Sequence, residues 1–189
     1  MNLIYPYSPL GERAAEFILN TYRGIAMSQH STEAWYIEQK KNRPKFEDVA
    51  SDFIKGENLN NALNFIAWLR LNKRAPSWVS PNSWKINYKG KGLCYIKLHC
   101  QETDNAYWSI CSTQSDVLIH DNFDLDEHSK MIWDKLKYCT GCCSCRPGYK
   151  KTVCGKEITN LCAWFFVVDN PCIEEIECVK EIIKISTNI

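Results

Sequence analysis

The sequence predicts an α+β fold, with N-terminal helices packed on an antiparallel sheet, followed by a cysteine-rich loop, a buried strand and a C-terminal helix. Three observations carry that expectation. Apolar residues recur at helical spacing through the first 75 residues. They then alternate with polar residues through two segments joined by a Lys-Gly-Lys-Gly turn signal. A continuous apolar run from Leu161 to Val168 precedes the helix-start signal Asp169-Asn170-Pro171. Together they describe one domain over residues 1–189, with a helical part at 1–75 and a sheet part at 76–189.

Leu10, Ala14, Phe17, Ile18 and Tyr22 predict a helix over residues 10–29, weakened at Gly24. Ser31-Thr32-Glu33 can cap a second helix that runs to Lys41, with Pro44 beyond its end. A short helix is expected from Phe46 to Lys55, stopped by Gly56. Asn58 reads as the cap of a longer one reaching Lys73, with Leu59, Ala62, Leu63, Ile66 and Leu69 on one face. Pro76 closes the helical part.

In the sheet part, Trp84, Ile86 and Tyr88 alternate with polar neighbours, as do Cys94, Ile96 and Leu98. That period belongs to half-buried strands. A third strand is expected at Tyr107–Cys111 and a short fourth at Val117–His120. Asp124 or Asp126 starts a helix running to Tyr138, the cysteine loop follows, and the last strand spans Ile158–Val168. The final helix has Ile173, Ile176, Val179, Ile182 and Ile183 on one side. Its acidic residues come first and its basic residues last, as the helix dipole prefers.

Lys plus Arg number 23 and Asp plus Glu 22, so the net charge of +1 gives no bulk attraction to nucleic acid or an anionic membrane. No run of about 18 apolar residues is present, and nothing at the N-terminus has the pattern of a signal peptide. The eleven cysteines are an odd number. Without an export signal, that favours reduced thiols and a cytoplasmic location. Cys94, Cys100, Cys111, Cys172 and Cys178 then serve as small buried apolar residues.

The chemical signature lies between Cys139 and Cys162. Four cysteines fall within the seven residues from Cys139 to Cys145, and C-x2-C pairs overlap at Cys142. Such a turn directs two thiolates at one metal, and Zn²⁺ takes four in a tetrahedron. The gap of sixteen residues from Cys145 to Cys162 suits the second half of a zinc pattern, although Phe165 stands where its last cysteine belongs. The expected ligands are Cys139, Cys142, Cys145 and Cys162, holding a structural zinc, with Cys143 or Cys154 as replacements. An iron–sulfur cluster is disfavoured because Tyr149 occupies the position of the next ferredoxin-type cysteine.

Trp78, Trp84, Tyr95, Trp108 and Trp164 fall on or beside expected strands and form either a ligand pocket or the core of the sheet. Lys85, Lys89, Lys91 and Lys97 on one hairpin read as protection of a sheet edge, with single-stranded nucleic-acid binding the weaker alternative. His120, Asp121, Asp124, Asp126, Glu127 and His128 read as a solvated helix start rather than a second metal site. The nucleotide-binding glycine motifs and G-x-S-x-G are absent.

Pro76-Ser-Trp-Val-Ser-Pro-Asn-Ser-Trp-Lys-Ile-Asn-Tyr-Lys-Gly90 and Leu93-Cys-Tyr-Ile-Lys97 resemble segments of uncharacterised bacterial proteins. So does the cysteine loop with Gly155-Lys156-Glu157 and Asp169-Asn170-Pro171 after it. The strand pairs resemble the small α+β YdhG/YjbR-like domains, a resemblance that implies a fold and no mechanism. The expected activity is binding of a small molecule or a protein by a zinc-stapled domain. A small enzyme with an aromatic pocket and a reactive Cys143 or Cys154 is the alternative.

Overall fold

The computed structural model describes residues 34–99, 106–119, 129–141 and 147–187. The chain divides into two compact units, Met1–Asn42 and Arg43–Ile189. In the first unit residues 34–42 are helical (α1), while the helix expected over 10–29 lies outside the described residues. The second unit holds helices α2 (Phe46–Phe53), α3 (Gly56–Leu71), α4 (Ser129–Asp134) and α5 (Ile173–Thr187). Its strands are β1 (Ser77–Ser80), β2 (Ser83–Tyr88), β3 (Lys91–His99), β4 (Tyr107–Ser112), β5 (Leu136–Tyr138), β6 (Tyr149–Val153) and β7 (Lys156–Asp169). The fold is α+β.

Local chemistry accounts for the helices. At the start of α2 the Asp48 carboxylate accepts the Lys45 backbone N–H at 3.0 Å, and Glu47 and Asp48 oppose the positive end of the dipole. α3 begins at Gly56 rather than at the expected Asn58, so this glycine opens a helix instead of closing one. Ala62, Phe65, Ile66 and Leu69 of α3 are buried, the i, i+3, i+4, i+7 stripe of a helix lying on a core. Arg70 grips Glu47 of α2 through two nitrogens, at 2.5 and 2.9 Å, and so ties the two helices together. In α5 the buried stripe is Ile176, Val179, Ile182 and Ile183.

All seven strands form one antiparallel sheet in the order β1-β2-β3-β4-β7-β5, with β6 paired to β7 as well. The tight turns Lys89-Gly90 and Cys154-Gly155 have positive φ at both residues, the geometry that matches strand twist in a two-residue hairpin. The short strand expected at Val117–His120 is absent: residues 117–119 form bends, and His120 lies outside the described residues. The helix expected to reach Tyr138 stops at Asp134. Residues Leu136–Tyr138 pair with β7 instead, because that strand offers an open edge there.

The core lies between the sheet and the helices. Trp84 is fully buried against Phe46, with ring centroids 5.2 Å apart, and its indole N–H donates to the Pro44 carbonyl at 2.9 Å. Trp108 is fully buried near Phe65. Cys94, Cys111 and Cys178 are buried as expected, whereas Cys172 is exposed beside the start of α5 and Cys100 lies outside the described residues.

Behind β3, the Asp116 carboxylate is buried and accepts both the backbone N–H and the hydroxyl of Thr113 at 2.7 Å. Its other oxygen lies 3.5 Å from the Lys85 ammonium. A Cβ added at Gly92 would stand 2.5 Å from that oxygen and 2.6 Å from the Lys85 side chain. Lys85 can swing away, but Asp116 is held by two hydrogen bonds. Gly92→Ala should therefore cost about 1–3 kcal/mol of stability, the usual penalty of overpacking. Urea unfolding of the variant checks this, and an unchanged midpoint would show that the pair relaxes freely.

Candidate functional site

The register divides the side chains between two faces, because residues directly opposite one another in an antiparallel pair share a face. Trp84, Ile96, Ile110 and Val168 form one cross-strand row on the helix side. On the outer side the rows are Lys85–Tyr95–Cys111–Val167, Ser83–Lys97–Ser109–Asp169, and His99–Tyr107.

The five aromatic residues proposed for a pocket do not share one surface. Trp84 and Trp108 are core residues on the helix side, and Trp78 of the edge strand β1 is paired with Trp84. Tyr95 and Trp164 meet on the outer side, edge to face, with centroids 5.0 Å apart. Trp164 belongs to β7, whose register slips between Leu161 and Phe166, so alternation with Phe166 and Val168 does not fix its face; its contact with Tyr95 puts it on the outer side.

The Lys97 ammonium lies 3.3 Å from the centre of the Trp164 ring. Burial pushes this amine below its ordinary pKa, with Cys111 acting weakly in the opposite direction. The Lys85 ammonium sits 4.9 Å over Tyr95. Its pKa is raised, first by a hydrogen bond with Tyr95 and then, against the opposing effect of burial, by Asp116. Along the same face the His99 ring stacks on Tyr107 at 4.2 Å, and its Nε2 shares a hydrogen bond of 2.7 Å with the Ser109 hydroxyl. Burial lowers the His99 pKa; Asp169 opposes this and Lys97 adds to it.

The His99–Ser109 contact has the reach of a base and a nucleophile, which sequence spacing alone does not reveal. Ser109 is only 1% exposed, however, so the bond satisfies a buried hydroxyl. The thiols are no better suited to attack. Burial pushes Cys111 up to about 12 and raises Cys94 well above the ordinary range. Cys154, the candidate reactive thiol, sits in a tight turn with its pKa raised by burial. Cys143 lies outside the described residues.

The base of the cysteine loop forms a second candidate site. Cys139 and Cys162 are described, whereas Cys142 and Cys145 are not. The Cys139 N–H donates to the Asn160 carbonyl at 2.7 Å, and the Asn160 side-chain amide donates back to the Cys139 carbonyl at 3.2 Å. At the other end of the loop Gly148 presses on the same residue: a Cβ there would stand 2.6 Å from the Asn160 carbonyl carbon. Leu161 pairs with both Tyr138 and Tyr149, so β5 and β6 flank β7 on opposite edges. Cys162 follows it and is half-buried. Among the described residues no group of three or more histidines, cysteines or carboxylates is arranged to hold a metal.

No protein family, curated protein or solved structure matches the chain. The likeness to YdhG/YjbR-like domains gains no support from these comparisons. No described helix is long and apolar enough to cross a membrane.

The depressed His99 pKa has a consequence for stability. Its folded value lies below its unfolded value, so the unfolded chain binds the proton more readily. The contribution is present above about pH 6.5, the ordinary imidazole value, and is lost as pH falls through the folded value. Urea midpoints measured at pH 8 and pH 5 should fall further in the wild type than in His99→Gln. Equal losses in the two proteins would remove His99 as a cause.

Proposed function

We propose that the chain is a binding domain in which thiolates of the cysteine loop hold a structural zinc ion, with ligand recognition on the outer face of the sheet. The observation that carries the reading is the pinning of both ends of the loop at Asn160, two residues from Cys162. A loop closed at its mouth keeps every cysteine between Cys139 and Gly148 within a few residues of Cys162, at no more than about 3.6 Å of reach per residue. Part of the entropy of gathering the ligands is then met by the fold before a metal binds. Cys139, Cys142, Cys145 and Cys162 are the proposed ligands, and a closed set of four thiolates is structural rather than catalytic. Cys94, Cys111, Cys154, Cys162, Cys172 and Cys178 are free thiols, which supports a reducing, cytoplasmic setting.

The enzyme reading has less to support it. The pKa values of Cys94, Cys111, Cys154, Cys172 and Cys178 are all raised, and the Ser109 hydroxyl beside His99 is covered.

Protein purified without a metal-affinity tag should contain about one zinc per chain by elemental analysis. Cys139→Ser and Cys162→Ser should each lose most of it, while Cys172→Ser, far outside the loop in sequence, should keep it. Trace zinc in the wild type, or zinc retained in both loop variants, would overturn the assignment.

A further inference from the structure

We propose that Lys97 receives the oxyanion group of a small ligand, a carboxylate or a phosphate, on the outer face of the sheet. This deepens the binding-domain reading by naming the ligand's chemistry, and it does not depend on zinc. Lys97 stands at the middle of its row, on a strand with neighbours on both sides. Its direct cross-strand neighbours are Ser83 and Ser109, both buried and both too short to cover an ammonium or to carry a counter-charge.

Of the other half-buried lysines, Lys151 donates to the Gln114 and Asp116 carbonyls at 3.2 and 3.4 Å, and three have carboxylates at ion-pair distance. Lys85 has Asp116, Lys135 has Glu175 and Lys180 has Glu177. Among the described residues no carboxylate lies within 4.0 Å of Lys97. Its charge is met on one side by the face of Trp164, which Tyr95 holds edge-on. A π face offsets about 0.5–2 kcal/mol for a cation and leaves the remaining N–H donors without an anionic acceptor. An oxyanion seated on Lys97 would supply that acceptor in a half-dry setting, where charge-assisted bonds are strongest.

The engaged state of the rings argues for a small ligand rather than a single-stranded polynucleotide. Base stacking needs open aromatic faces. Here Trp164 is capped by Lys97, Tyr95 by Lys85, and Tyr107 and His99 lie on each other.

Selective ¹³C labelling of the lysines leaves every ammonium N–H in place and gives each side chain its own Cε–Hε NMR signal. The Lys97 signal, assigned by its loss in Lys97→Arg, should lie upfield because it sits over the Trp164 ring, and Trp164→Leu should abolish that displacement. Inorganic phosphate and acetate are titrated separately. Saturable movement of Lys97 with either anion, several-fold larger than that of the hairpin lysines Lys89 and Lys91, supports the proposal and says which oxyanion is preferred. Movement no larger than theirs and linear with both anions would overturn it. A short oligothymidylate that saturates Lys97 at far lower concentration than either anion would also overturn it, in favour of nucleic acid. The zinc content of Lys97→Arg should match the wild type, so failure here and failure of the metal assignment are read separately.

Discussion

The pairing of β7 is the constraint on which the rest of the sheet depends. This one strand carries β4 at its C-terminal half, β6 at its N-terminal half, and β5 along its other edge. Neither β5 nor β6 has another partner in the sheet. Its apolar run is therefore continuous for a reason: Phe165, Phe166 and Val168 are all buried, and neighbours on both edges leave little of the backbone open to water. Its exit is fixed too. Asn170 donates its backbone N–H to the Trp108 carbonyl at 2.8 Å and accepts the Trp108 N–H on its side chain at 3.2 Å, and α5 follows. Because β7 also carries Cys162 and Trp164, the same strand positions both the base of the cysteine loop and the ring beneath Lys97.

On the outer face, magnitudes decide how Lys97 behaves. An ammonium over indole gains about 2 kcal/mol at best when desolvated, while removing a cation from water without a partner costs several. The balance accords with the direction of its pKa, which is lowered by burial. Lys85 shows the contrast. It too lies over an aromatic ring, but it has Tyr95 and Asp116 as polar partners and its pKa is raised. Two half-buried lysines of the same hairpin thus differ in their partners: Lys85 has a carboxylate beside it, and Lys97 has none among the described residues.

Much of this was legible in the sequence. The alternation of Trp84, Ile86, Cys94, Ile96 and Leu98 gave the β2–β3 hairpin and its buried face. The same alternation already separates Trp84 from Tyr95, since Tyr95 falls between Cys94 and Ile96 and must point the other way. Grouping the aromatic residues by type concealed what their parity says. The strands β1, β5 and β6 were not legible. They are only four, three and five residues long, and β6 is mostly polar, so periodicity has too few positions to register. Their pairing is dictated from outside, by the edges that β2 and β7 offer. The hydrogen bond between His99 and Ser109 was hidden for a similar reason: it joins diagonal positions on two strands, and only the register reveals it.

The base of the cysteine loop shows how far spacing can go. C-x2-C pairs say that thiols can meet, but not what brings a distant fourth one to them. Asn160 supplies the physical link, with a positive φ that lets it face Cys139 and Gly148 together. Its two hydrogen bonds with Cys139 and the close approach of Gly148 close the loop without any metal. A metal bound there would consequently contribute to the order of the loop's interior more than to the docking of β5 and β6. Those strands already have ladders of their own along β7. Folding of the sheet would in that sense be separable from filling of the proposed thiolate site. A domain built so would differ from small zinc modules, whose folding depends on the ion because they lack a core of this size.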